Sequence, residues 1–76
     1  MLSRSEAHML LDELCTREGF CLPPATTLAL VSDPPVDPTE FTDAVFRAEG
    51  LDPRLADRRL YRRIRALVEG AFRMCD

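Results

Sequence analysis

Apolar side chains recur along most of the chain at intervals of three and four residues, which is the spacing of one face of an α-helix. Proline, glycine and capping residues divide this pattern into four segments, which predict helices over residues 5–18, 24–32, 38–49 and 53–74. No stretch shows the convincing alternation of a strand pair. The chain is therefore predicted to be all-α, a small single-domain bundle of three to four helices with a long amphipathic C-terminal helix.

The first segment carries recognisable signals at both of its ends. Ser3 and Glu6 have the spacing of a capping box, in which each side chain accepts a hydrogen bond from the backbone N–H of the other residue. Gly19 is the predicted stop, and Phe20 can fold back over the last turn. The predicted core stripe of this helix consists of Ala7, Leu10, Leu11 and Leu14.

The second segment is compatible with two structures. Pro23-Pro24 suits the first turn of a helix, and apolar residues then repeat every three residues as far as Val31. Residues 26–31 also contain β-forming side chains and could form a strand. Because a strand needs a pairing partner and no other segment offers one, a helix is favoured and the strand is left as the alternative.

The last two segments begin in the same way. Each has an aspartate that can cap the helix, followed by a proline suited to the first helical position, Asp37-Pro38 and Asp52-Pro53. Gly50 separates the two helices, so the predicted turn is short. The apolar stripe of the fourth helix, with its flanking residues, spans an arc of roughly 140°. Its central members are Leu60, Ile64, Leu67, Ala71 and Met74.

Charge is distributed unevenly along the 76 residues, whose net charge is −3. Residues 1–52 contain three arginines and ten acids, a local charge of −7. Residues 53–75 contain seven arginines and two acids, a local charge of +5. All ten basic residues are arginine, a composition that resembles proteins of GC-rich bacteria. Each is a planar guanidinium suited to bidentate contacts with carboxylates or phosphates.

The arginines of the fourth helix lie opposite its apolar stripe. They either pair with acids of the first three helices or form a docking surface. We expect a small non-enzymatic protein–protein interaction module (an adaptor, regulator or inhibitor) that binds an acidic protein partner through this face. Two phenylalanines off the centres of the stripes either pack on other elements or anchor the partner. The predicted partner-binding residues are Arg54, Arg58, Arg59, Arg62, Arg63, Arg65, Phe46 and Phe72.

A nucleic-acid-binding protein is the alternative. Helices 38–49 and 53–74, joined by a short turn that contains Gly50, resemble a helix-turn-helix, whose second helix enters the major groove. Arginines near the start of that helix would then contact guanine edges and phosphates. An isoelectric point of about 5.0 and a single aromatic residue near the basic run, Tyr61, make this the weaker hypothesis.

Few residues are of the types that metal binding or catalysis requires. The histidine and the three cysteines lack the spacing of a metal knuckle, so no metal site and no cofactor is predicted. No phosphate-binding loop and no nucleophile–base motif is present, so no catalytic residue and no enzymatic activity is predicted. An odd number of cysteines without a signal peptide argues against a disulfide framework, and the thiols are expected to be reduced.

Location and oligomeric state are constrained only loosely. The longest apolar runs, residues 9–11 and 28–31, are far too short for a signal peptide or a membrane span. The expected location is the cytoplasm, without membrane contact. A homodimer could form if the apolar stripe of residues 60–74 paired with its copy. We expect this stripe to be buried in the core of its own chain instead, since no other helix could serve as the centre of the bundle.

Overall fold

Four α-helices and their connections make up residues 2–74, which are the residues that the computed structural model describes. In chain order the helices are α1 (Arg4–Glu18), α2 (Pro24–Ser32), α3 (Pro38–Ala48) and α4 (Arg58–Met74). No strand occurs among these residues, so the all-α prediction is confirmed and residues 26–31 are helical. α4 packs against both α3 and α1, while α2 packs on α1.

The predicted ends of α1 are confirmed, with the helix beginning one residue early. Ser3 Oγ accepts a hydrogen bond from the Glu6 N–H at 3.2 Å, and Glu6 Oε1 accepts one from the Ser3 N–H at 2.9 Å. Gly19 has a φ of 75°, a left-handed conformation that glycine adopts without steric cost. This turn brings the Phe20 N–H to 3.1 Å from the carbonyl oxygen of Leu14 and buries the Phe20 side chain.

The core forms where α1, α3 and α4 meet. All four residues of the predicted α1 stripe are buried. α3 contributes Phe41, Val45 and Phe46, none of which has exposed surface. The centroid of the Phe46 ring lies 5.1 Å from that of Phe20 and 5.3 Å from that of Tyr61. Aromatic contacts therefore connect the turn after α1, the last turn of α3 and the first half of α4.

The buried face of α4 is rotated away from the predicted stripe. Ile64 is fully buried as expected, but Val68 and Phe72 complete the buried face. Met74, which the spacing placed within the stripe, is 89% exposed. The cause is the position of α3, which meets the Phe72 side of α4 through an edge-to-face contact between the Phe41 and Phe72 rings at a centroid distance of 6.2 Å.

α4 begins five residues later than predicted. Asp52 does not cap it, because its carboxylate accepts from the Arg54 N–H at 2.9 Å in a separate turn, and this hydrogen bond holds the pKa of Asp52 below its ordinary value. The cap is Asp57, whose Oδ1 accepts from the N–H groups of Arg59 at 2.8 Å and Leu60 at 3.3 Å. Both aspartates have the chemistry of a cap, and residue spacing alone does not show which one acts.

The role of Asp57 predicts a difference between the two aspartates. We expect Asp57→Ala to lower the free energy of unfolding by about 1–2 kcal/mol, because two N–H groups of the first turn lose their acceptor. Asp52→Ala, the matched control, disturbs only a turn in the connection and should cost clearly less. Urea denaturation followed by circular dichroism measures both. Equal losses for the two variants would contradict the observed start of α4.

The expectation of reduced cysteines is wrong for two of the three. The Sγ atoms of Cys15 and Cys21 form a disulfide, and their Cα atoms lie 4.3 Å apart. The left-handed turn at Gly19 reverses the chain over the end of α1, which places these two residues side by side. Cys75 lies outside the described residues.

Candidate functional site

The basic residues after position 52 are divided between α4 and the connection that precedes it. Six of the seven arginines lie on α4. The connection spans nine residues, 49–57, so the prediction of a short turn was wrong and Arg54 lies in the connection rather than on the helix. Four of the seven arginines have a described carboxylate within 4.0 Å, and three do not.

Arg63 connects α4 to α1. Its Nε and Nη2 atoms both lie 3.1 Å from Oε1 of Glu18. The Glu18 side chain is only 17% exposed, whereas the Arg63 side chain is 62% exposed, so the pair lies at the edge of the helix–helix interface. An ion pair of this exposure contributes about 0–1 kcal/mol to stability. Its main consequence is that Arg63 is already engaged within the chain.

Glu69 engages two further arginines of α4. Its Oε1 accepts a hydrogen bond from Nε of Arg65, and its Oε2 lies 3.5 Å from Nη2 of Arg73. The hydrogen bond from Arg65 holds the pKa of Glu69 below its ordinary value, and the same bond raises the pKa of Arg65. In the connection, Arg54 Nε lies 3.5 Å from Oδ1 of Asp52. Three of the six arginines predicted to bind a partner, together with Arg73, are therefore paired with acids of the same chain.

The remaining three arginines, Arg58, Arg59 and Arg62, form an exposed surface that we call the arginine patch. No carboxylate among residues 2–74 lies within 4.0 Å of their guanidinium nitrogens. At 100° per residue the three positions occupy an arc of about 100°, with Arg62 between the other two. The patch is therefore a contiguous group of cations that the described chain does not neutralise.

The arginine patch lies at the end of α4 where positive charge is least favourable. Unpaired N–H groups of the first turn give the N-terminus of a helix a partial positive charge. α4 has no acidic residue in its first turn, and Asp57 caps the helix from the preceding position. Each arginine in this turn destabilises the helix by about 0.3–1 kcal/mol at low ionic strength. A bound carboxylate would offset that repulsion.

Leu55 is a candidate residue that the sequence analysis missed. It lies in the connection, three residues before the arginine patch, and 84% of it is exposed. A single exposed leucine is ordinary, but an apolar side chain beside unpaired arginines matches the mixed character of protein interfaces. The sequence does indicate that Leu55 is exposed beside the arginines. On a projection of the predicted helix it falls among them and away from the apolar stripe.

The two phenylalanines predicted as possible anchors belong to the core. Phe46 has no exposed surface and its ring packs on those of Phe20 and Tyr61. Phe72 is 9% exposed and its ring packs on that of Phe41. Phe46 is off the predicted stripe because α3 buries two adjoining faces, one toward α4 and one toward the turn that follows α1. Neither side chain is available to a partner.

A hydrogen bond fixes the half of α4 that carries the arginine patch. The Tyr61 hydroxyl donates to Oδ1 of Asp43 on α3 at 2.8 Å. Burial raises the pKa of Tyr61, and the hydrogen bond to Asp43 raises it further. Together with the contact between the Phe46 and Tyr61 rings, this bond holds the first turns of α4 on α3. The patch is therefore presented by a packed helix rather than by a loop.

The described residues offer little support for other kinds of site. Among residues 2–74, no group of three or more His, Cys, Asp or Glu side chains could hold a metal ion. His8 is exposed on α1, with Nδ1 3.9 Å from Oδ2 of Asp12. In the same part of the chain, no helix has the length and apolar character needed to cross a membrane.

Comparisons of the chain with protein-family models, with curated proteins and with solved structures gave no match. The geometry and charge of the arginine patch are therefore the observations that bear on function.

Proposed function

We propose that this protein is a non-enzymatic interaction module that binds an acidic segment of a partner protein through the arginine patch and Leu55. One observation carries the proposal. Four of the seven arginines after residue 52 are paired with acids of the chain, and the three that have no acidic partner among residues 2–74 lie together on the first two turns of α4. An acidic segment would supply the carboxylates that the described chain does not place there.

Charge favours a protein partner over a nucleic acid. Residues 1–52 carry a charge of −7, which would repel a phosphate backbone that extended beyond the arginine patch. A short acidic peptide segment needs to contact the patch alone. Exposed Leu55 also has a use in a protein interface, where an apolar side chain can be buried beside the charged contacts. A helix-turn-helix has less support, since its short turn is replaced by a nine-residue connection.

Removing the arginine patch should abolish most of the binding. We expect the triple variant Arg58→Gln, Arg59→Gln, Arg62→Gln to weaken binding of a labelled peptide rich in glutamate and leucine by about 100-fold. This corresponds to roughly 1 kcal/mol for each lost charge contact. Glutamine retains helix propensity, so the fold should survive. Fluorescence anisotropy over a range of salt concentrations measures the affinity, which for the wild type should fall as salt rises.

A matched control separates the patch from overall charge. The triple variant Arg4→Gln, Arg17→Gln, Arg47→Gln removes the same three charges from exposed positions elsewhere, and it should bind the peptide nearly as well as the wild type. Equal losses in the two triple variants would show that only net charge matters and would contradict the proposal. Mixed-sequence duplex DNA serves as the second probe. Tighter binding of DNA than of peptide, again lost only in the patch variant, would replace the acidic protein with a nucleic acid.

A further inference from the structure

An open apolar groove lies between α1 and the C-terminal half of α4, further along that helix than the arginine patch. It has a volume of about 580 Å³. Leu10, Leu67 and Ala71 line it, and the side chains of Met9 and Met74 stand beside it with 69% and 89% of their surface exposed. Two methionines with this much exposure next to one groove form an apolar surface that the described chain leaves uncovered.

Gly70 lines the same groove, and no contact within the described chain requires a glycine at this position. A Cβ atom built at this position would meet nothing within 4 Å. Its φ is not in the left-handed region, so alanine would fit its backbone. Glycine in the interior of a helix destabilises it relative to alanine. Ala66 lies one turn earlier on the same wall, so α4 presents three small residues to the groove, Ala66, Gly70 and Ala71.

On the two sides of Gly70, α4 carries side chains of complementary size: a small one four residues before it and a large one four residues after it. Ala66 and Met74 are each four residues from Gly70, on the same side of the helix. A two-fold axis through Gly70, perpendicular to α4, would place the Met74 side chain of each copy over Ala66 of the other. Such an isologous contact, in which a protruding residue meets a small one in both directions, is the form that two-fold dimers take.

Charge on α4 is compatible with this antiparallel arrangement. Glu69 and Arg73 lie on the same flank of α4. Glu69 is one residue before the two-fold axis, and Arg73 is three residues after it. Within each chain Glu69 Oε2 already lies 3.5 Å from Arg73 Nη2. The axis would bring Arg73 of each copy to within about 3 Å, measured along the helix, of the level of Glu69 in the other copy, so that the two ion pairs would lie side by side. Antiparallel helices also align opposite ends of their macrodipoles. On the α1 rim, Glu6 and Glu13 already have the Ser3 N–H and Arg17 as partners.

We infer that the groove between α1 and α4 is the interface of a homodimer, in which two α4 helices cross in antiparallel orientation at Gly70. The complementary sizes of Ala66 and Met74 about Gly70 identify a second copy of this chain as the occupant, and the Glu69–Arg73 pairs are compatible with it. The three residues of the arginine patch, Arg58, Arg59 and Arg62, lie twelve, eleven and eight residues from the axis, about 18, 17 and 12 Å along the helix. The dimer therefore leaves both arginine patches uncovered, and dimer formation and partner binding can be tested separately.

Sedimentation equilibrium from about 1 µM to about 1 mM protein tests the dimer. The wild type should associate within this range, and Gly70→Arg should raise the dimer dissociation constant at least about 100-fold. The variant should keep its fold, since the new side chain enters open space and arginine is a good helix former. Ala29→Arg adds the same side chain on the exposed face of α2 and should dimerise like the wild type. A monomeric wild type at the highest concentration, or a dimeric Gly70→Arg, would overturn the inference.

Disulfide cross-linking tests the antiparallel register in a Cys75→Ser background. Gly70→Cys should give a covalent dimer on oxidation, because the introduced thiols meet at the two-fold axis. Ala66→Cys alone should not, since its two copies would be about 12 Å apart along the helix, beyond the reach of a disulfide. A mixture of Ala66→Cys and Met74→Cys chains should cross-link as a heterodimer. Efficient cross-linking of Ala66→Cys with itself, or none with Met74→Cys, would overturn the antiparallel arrangement.

Discussion

Phe46→Ala is expected to lower the free energy of unfolding by about 3–5 kcal/mol. Phe46 has no exposed surface, and its ring contacts those of Phe20 and Tyr61, so alanine would leave a cavity where three parts of the chain meet. A chain of 76 residues is expected to have only about 4–11 kcal/mol of stability in total. The variant should therefore unfold at much lower urea concentration, as followed by far-ultraviolet circular dichroism.

Two comparisons make this result informative. Leu55→Ala removes a side chain that is 84% exposed and should change stability by less than about 0.5 kcal/mol. Phe46→Leu retains most of the buried volume and should cost clearly less than Phe46→Ala. If Phe46→Ala kept the wild-type unfolding midpoint and lost only partner binding, Phe46 would be an exposed anchor after all, and its placement in the core would be wrong.

Local signals account for the parts of the fold that the sequence predicts well. The capping box at Ser3 and Glu6 and the left-handed turn at Gly19 depend on residues within one helical turn of each other, so both can be inferred from spacing. The start of α4 could not be inferred in this way, because Asp52 and Asp57 compete for the same role. The rotation of its buried face depends on where α3 lies, which is a tertiary contact.

The same distinction holds for the candidate site: local spacing predicts some of its features, and tertiary packing decides the others. The clustering of arginines on one helix follows from the sequence, and the pairing of Arg65 with Glu69 follows from their i,i+4 spacing. The pairing of Arg63 with Glu18 joins residues 45 positions apart and depends on how α1 packs beside α4. Which arginines remain unpaired is therefore decided by the tertiary structure. Only the structure reduces the predicted face to the arginine patch.

The disulfide shows why counting cysteines was misleading. An odd total excludes complete pairing, but it does not exclude one pair that a tight turn brings together. The turn at Gly19 does this for Cys15 and Cys21, and the sequence analysis used that glycine only as a helix stop. Disulfides persist mainly in oxidising compartments. The Cys15–Cys21 disulfide is therefore not typical of the cytoplasmic location that was expected from the short apolar runs.

Breaking this disulfide is expected to lower the free energy of unfolding by about 2 kcal/mol. The two cysteines are six residues apart, and closing so short a loop removes a modest amount of chain entropy from the unfolded state. The bond also holds the turn that presents Phe20 to Phe46, so its loss should loosen that aromatic contact. Cys21 is exposed, which gives a reductant access. Urea denaturation with and without dithiothreitol measures the effect.

The variants identify the bond as the cause. Cys21→Ser should match the reduced wild type in stability and should not respond to dithiothreitol, because it has no disulfide to lose. Cys75→Ser, the matched control, keeps the Cys15–Cys21 bond and should respond as the wild type does. An unfolding midpoint that reductant leaves unchanged in the wild type would show that the bond contributes no stability. A Cys75→Ser protein that no longer responds would instead assign the effect to Cys75, and would contradict a stabilising role for the Cys15–Cys21 bond at the Gly19 turn.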